Sequence, residues 1–147
     1  MPSNLERSFA FALKAVGVEM IQQYRFHPTR RWRLDFADVD SLVAVEIDGG
    51  EFANGAHNRG VRMANDYEKR NAAIEMGFVV FQLTGGMVRK DPVGLARMVK
   101  RCIEARKKHA NIVSDAIDGL AGGPYGEEVE DIIAGVLTSV LELIKEA

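Results

Sequence analysis

Apolar residues return at three- and four-residue intervals through NLERSFAFALKAV, at Leu5, Phe9, Ala12, Leu13 and Val16. That spacing predicts a helix over 4–16, with Ser3 or Asn4 to cap its start and Gly17 to end it. The pattern then changes period. Residues 19–27 (EMIQQYRFH) and 31–37 (RWRLDFA) read as strands joined by a turn at His27-Pro28-Thr29-Arg30. A third strand, SLVAVEID (41–48), is rich in Val and Ile, as a central strand is, and ends at Gly49-Gly50. After a polar, glycine-containing loop over 51–61, RMANDYEKRNAAIEM (62–76) predicts a helix closed by Gly77. FVVFQLT (78–84) reads as a short buried strand, and a basic helix follows over 92–108 with Pro92 in its first turn. The order α-β-β-β-α-β-α predicts an α/β fold, an α+β mixed sheet with helices packed on it.

The last part of the chain differs in character. GLAGGPYG (119–126) reads as a flexible break. Beyond it Val129, Ile132, Ile133, Val136, Leu137, Val140, Leu141 and Ile144 form one apolar stripe, predicting a helix over 126–146. Such a stripe must be buried, either on its own domain or against a second chain as a homodimer. The expected division is therefore a core domain over 1–108 and a helical tail over 109–147.

Charge sharpens this division. Residues 109–147 hold one lysine against eight acidic residues, so the tail carries −7. The body, with eighteen basic and thirteen acidic residues, carries +5, which the overall net charge of −2 conceals. A basic body suits a phosphate backbone, although solvated faces account for most charge runs. No apolar run approaches the roughly 18 residues of a membrane span. The N-terminal stretch, with Glu6 and Arg7 early, does not read as a signal peptide. Cys102 is the only cysteine, which excludes a disulfide framework and a cysteine-rich zinc site. A cytoplasmic protein is expected.

The chemistry lies in LDFADVDSLVAVEIDGG, residues 34–50. Asp35 sits between Leu34 and Phe36 on the second strand. Glu46 interrupts the apolar run LVAVEI on the third, with Asp48 at the same side-chain parity. A carboxylate in a buried strand is costly unless it is paired or holds a cation. Two acids on neighbouring strands can place their oxygens around one hard divalent ion, with water and phosphate oxygens completing its shell. The alternative is an ion pair, for example between Glu46 and Arg33. Spacing alone leaves both open.

Four features together resemble the PD-(D/E)XK nuclease superfamily, and within it the small DUF559-like and very-short-patch-repair-like endonucleases. They are Glu6 in LERSFAFAL, the strand WRLDFAD, the strand VAVEIDGG, and DYEKRNAAIEMGFVVFQLT, which would supply a helix and an aligned strand. The likeness covers roughly residues 4–90. It implies a restriction-endonuclease-like core and a Mg²⁺-dependent endodeoxyribonuclease, with Mn²⁺ able to substitute and no small-molecule cofactor.

It also implies metal ligation by Asp35 and Glu46, by the carbonyl of Ile47, and by Glu6 directly or through water. The superfamily's lysine, two residues after the glutamate, is replaced here by Asp48. Lys69 is the candidate substitute cation, with His57 in the polar loop a second choice as acid or base. Asp48 is a further candidate ligand or a turn-bonding residue. Arg25, Arg30, Arg31 and Arg33, interleaved with Tyr24, Phe26 and Trp32, are candidate DNA contacts, as are Arg59 and Arg62. A hairpin with aromatics inward and arginines in solvent explains the same alternation.

The expected function is hydrolysis of DNA phosphodiester bonds by a metal-activated water, with branched or structured DNA among the candidate substrates. A compact nuclease of this kind suits a bacteriophage or mobile element, in a bacterial or phage-infected host cytoplasm. Two alternatives stand beside it: a non-catalytic nucleic-acid-binding module that keeps the fold, and a structural domain whose tail helix recruits a partner.

Overall fold

The computed structural model describes residues 2–49 and 59–121, together with 131, 132, 134, 135 and 138; side chains are described from residue 63 to 119 in the second stretch. The chain divides into two compact units, Met1–Lys107 and Lys108–Ala147.

In the first unit, helix α1 (Asn4–Ala15) leads into strands β1 (Ile21–Arg25), β2 (Arg33–Asp38) and β3 (Val43–Asp48). Helix α2 (Arg59–Glu75), strand β4 (Val79–Thr84), the short helix α3 (Gly85–Lys90) and helix α4 (Pro92–Ala121) follow. The four strands lie in the order β1-β2-β3-β4. β1 pairs β2 and β2 pairs β3 antiparallel, whereas β4 joins β3 in parallel, as a strand returning through a helical crossover does. The sheet is mixed, and the fold is α+β.

Local sequence explains the punctuation. Ser3 and Glu6 form a capping box: the Ser3 hydroxyl accepts from the Glu6 N–H, and Glu6 Oε1 accepts from the Ser3 N–H. Gly77 follows α2 with a φ of +87°, a left-handed conformation in which glycine carries no Cβ penalty. The Thr84 side chain accepts from the Met87 N–H and starts α3, a helix the sequence pattern did not predict. α4 is longer than expected. It does not stop near residue 108 but continues to Ala121, across the point where the charge balance turns acidic.

Both faces of the sheet are covered. On one, Phe9 and Leu13 of α1, Val88 of α3, and Ala96 and Val99 of α4 pack against Phe36, Val43, Val45 and Leu83. On the other, Ala73 of α2 joins Ala37, Ala44, Leu34, Phe26 and Phe78. Burying each large side chain contributes about 1.5–3 kcal/mol. Tyr24 and Trp32 are partly buried beside Phe26 while Arg25, Arg30, Arg31 and Arg33 are exposed, so the aromatics of the β1–β2 hairpin do face inward.

Arg106 of α4 donates to the carbonyls of Ser41 and Gly77, holding the β2–β3 turn and the end of α2 together. Lys107 adds a 2.9 Å ion pair to Asp38. Of the expected tail helix over 126–146, residues 131, 132, 134, 135 and 138 are helical, and the remainder lies outside the described residues. No helix among the described residues is long and apolar enough to cross a membrane.

Candidate active site

The β2–β3 ladder pairs Phe36 with Val45, Ala37 with Ala44 and Asp38 with Val43. Beyond Phe36 the strands stop exchanging ladder bonds. The Ile47 N–H is taken instead by a side chain: it donates to Asp35 Oδ2 at 2.8 Å. Leu34 and Phe36 share parity but pack in different core clusters, so β2 changes facing at Asp35. The result is a local opening in the sheet with a carboxylate set into it.

Glu46 has the parity of Ala44, which places it on the α2 face of β3, in register with Gln82 of β4. There it meets Lys69 of α2, whose Nζ lies 2.7 Å from Glu46 Oε2. Each of these side chains is 21% exposed, so the pair is largely withdrawn from water. The other oxygen, Oε1, is buried with no hydrogen-bond partner. The backbone N–H of Asp35 is the smallest of the influences that lower this carboxylate. A buried, unpartnered carboxylate oxygen is expensive, and a ligand is one way to satisfy it.

Burial raises both acids. For Asp35, desolvation outweighs the Ile47 hydrogen bond, and the negative charge of Glu6 adds to the rise. For Glu46, desolvation outweighs the hydrogen bond and charge of Lys69, and Asp35 pushes in the same upward direction. Acids shifted upward by burial and by a neighbouring acid gather at functional sites and also occur in structural ion-pair networks.

Glu6 reaches this centre through Gln23 of β1. The Gln23 amide Nε2 donates to Glu6 Oε2 at 2.8 Å and to Asp35 Oδ1 at 3.2 Å. With Oε1 engaged in the capping box and Oε2 on Gln23, Glu6 is fixed at both oxygens. Gln23 has a φ of +52°, left-handed and strained for a residue with a Cβ, at the position across β1–β2 from Asp35. Such strain persists where the surroundings over-determine it, and it gathers at functional sites. Sequence reasoning missed Gln23. Its place opposite Asp35 follows from the β1–β2 register and not from any motif in the sequence.

Asp35, Glu46, Ile47 and Asp48 open on a cleft of about 510 Å³, walled on its other side by Asp66, Lys69, Arg70, Met63 and Tyr67 of α2. Asp48 is exposed at its rim. Arg25, Arg30, Arg31 and Arg33 do not line this cleft, and Arg30 instead stacks over Trp32 with its guanidinium carbon 5.0 Å from the ring centroid. Arg59 and Arg62 lie in α2, but their side chains fall outside the described residues, as does all of His57.

The donors suit a hard cation. Asp35 and Glu46 supply carboxylate oxygens, one of them unpartnered, and backbone carbonyls such as that of Ile47 are of the same chemical kind. Among the described residues no three His, Cys, Asp or Glu side chains cluster as a metal site. Compared with known proteins, the chain matches no family model, no curated protein and no solved structure.

Proposed function

We propose that the protein is a metal-dependent endonuclease acting on DNA, built on a restriction-endonuclease-like core. The observation that carries the reading is the pair of raised carboxylates, Asp35 and Glu46, set where β2 and β3 part, with Glu46 Oε1 buried and unpartnered and Lys69 at 2.7 Å. The element order and the sequence likeness over residues 4–90 support it, as does the positive charge of the body.

In this reading Asp35 and Glu46 hold Mg²⁺, with the Ile47 carbonyl as a further contact and Glu6 behind them. A bound divalent ion supplies a lowered pKa for water and charge neutralisation at the phosphodiester. The chain's own residues do the rest. The Ile47 N–H and the Gln23 amide fix the Asp35 carboxylate in one orientation. Lys69, anchored by Glu46, presents an ammonium beside the acids and takes the part of the lysine that position 48 lacks, orienting water and offsetting charge on the phosphate. Asp48 lies at the entrance, where it bears on cations entering the cleft.

A second reading has an observation in its favour. Asp48 replaces the strand lysine, and Glu46 already has a cationic partner, an arrangement that suits a nucleic-acid-binding module without turnover. Incubation with supercoiled, linear and branched DNA in Mg²⁺, Mn²⁺ or EDTA separates the two. The nuclease reading expects metal-dependent strand cleavage of at least one substrate. Binding without cleavage in either metal supports the module and removes the enzyme.

A further inference from the structure

α2 carries a second pattern that metal chemistry does not use. Met63, Tyr67 and Arg70 lie at i, i+4 and i+7, one stripe of the helix, and all three line the cleft that contains Asp35 and Glu46. Met63 and Tyr67 are 52% and 49% exposed, an apolar and aromatic surface left open on the side of the helix that lines the cleft. The Arg70 guanidinium carbon lies 5.3 Å from the Tyr67 ring centroid. Its Nε is buried and has no hydrogen-bond partner. Of the two cations among the described residues that line the cleft, Lys69 is committed to Glu46, whereas no described carboxylate pairs with Arg70.

A buried, unsatisfied guanidinium donor calls for an anion with acceptor oxygens, and a phosphate is the natural match. A half-exposed ring beside it calls for a flat apolar partner. Both demands are met by one nucleotide. The cleft, at about 510 Å³, falls in the range that encloses a unit of that size. A base stacked inside a regular duplex shows only its edges in the grooves, so its face is not available to Tyr67. An unpaired base presents that face, and stacking on an aromatic side chain is how single-stranded nucleic acid is held.

We propose that Met63, Tyr67 and Arg70 form a nucleotide subsite: Arg70 takes a phosphate oxygen next to the scissile position, and Tyr67 with Met63 packs on an unpaired base. The preferred substrate is then DNA with a single-stranded nucleotide at the cut, such as a flap or fork, rather than a continuous duplex. The assignment of the scissile position rests on the nuclease reading; the subsite itself is tested by binding.

The test is fluorescence anisotropy of the full chain with a flapped duplex and with a fully paired duplex of the same length, in Ca²⁺ and in EDTA. In a parallel arm, 2-aminopurine replaces the first flap base and reports its stacking. The flap is expected to bind at least tenfold more tightly than the paired duplex. Tyr67→Ala is expected to weaken flap binding about tenfold, the order lost with one stack, and to leave duplex binding unchanged, whereas Arg70→Gln, which loses a phosphate contact, is expected to weaken flap binding by a similar factor. Tyr67→Phe, which keeps the ring, is expected to retain flap affinity and the 2-aminopurine signal. Equal affinity for the two DNAs, or a folded Tyr67→Ala with undiminished flap affinity, overturns the subsite. Mg²⁺-dependent cleavage by wild type together with that result removes the subsite alone. Selective flap binding without any cleavage removes the nuclease reading and keeps the subsite. A wild type that binds neither DNA overturns both.

Discussion

Lys69 Nζ lies 2.7 Å from Glu46 Oε2, so the cation paired with this acid comes from α2 and not from the strand that carries it. The pair is mostly buried, and removing one partner leaves a charge with poor solvation. Lys69→Met is expected to cost about 1–2 kcal/mol, below the fully buried case because each side chain keeps some contact with water. Adding Glu46→Gln to Lys69→Met is expected to recover part of that loss, while neither variant cleaves DNA at the wild-type rate. Chemical denaturation of both single variants and the double variant measures the coupling directly.

Gln23 combines a strained φ with two hydrogen bonds to acids on different elements. Glycine at this position relieves about 1 kcal/mol or more of backbone strain and removes hydrogen bonds worth a similar amount. Gln23→Gly is therefore expected to unfold within about 1 kcal/mol of wild type. Its cleavage rate is expected to fall tenfold or more, because Asp35 and Glu6 lose their common anchor. A melting curve and a rate from the same preparation separate the two effects. A rate equal to wild type would remove Gln23 from the site.

Acid stability divides by sign. Asp38 is pushed up by burial, but the Lys107 hydrogen bond and the two bonds from Ser41 outweigh this and leave it below the ordinary carboxylate value. A lowered folded value means that its stabilisation is complete above the unfolded pKa of about 4 and is lost as pH falls through the folded value. Asp38→Asn keeps an acceptor for Ser41 but loses the ion pair, and is expected to cost about 1 kcal/mol at neutral pH and to flatten the acid limb of the stability curve.

Asp35 and Glu46 have the opposite sign. Their folded values are raised, so their charged forms cost stability at neutral pH, and that cost is relieved as pH falls through those values. Urea titrations from pH 3 to pH 8 are expected to show stability rising on mild acidification and then falling below about pH 4.

A cation that binds only the folded protein raises its stability by mass action. At ten times its dissociation constant, Mg²⁺ is expected to add about 1.4 kcal/mol, a shift of several degrees in melting temperature. The shift is expected to vanish in Asp35→Ala. A shift of equal size in that variant would place the ion elsewhere.

Much of the candidate site is legible in the sequence. Asp35 and Glu46 stood out because each is a carboxylate inside an apolar strand, and that anomaly survives in the fold as raised, partly buried acids. Lys69 was reachable as the cation on the following helix. Gln23 was not, because its role depends on a left-handed φ and on its position across from Asp35, which no periodicity reports. Arg70 carries no such signal, because the burial of its Nε without a partner is a tertiary fact. The last core helix runs past the expected end near 108 because a change in charge does not stop a helix and no proline interrupts the backbone before Ala121.

Asp35 and Glu46 are proposed to hold the ion that drives DNA cleavage. The most direct test is a cleavage time course for wild type, Asp35→Ala and Glu46→Gln, run on supercoiled and flapped DNA in Mg²⁺ and in EDTA, with circular dichroism to establish folding. The expected result is cleavage by wild type in Mg²⁺ alone, and at least a thousandfold loss in both folded variants, the scale on which removing an essential electrostatic group acts. Cleavage that persists in EDTA, or in either folded variant at the wild-type rate, would contradict the account.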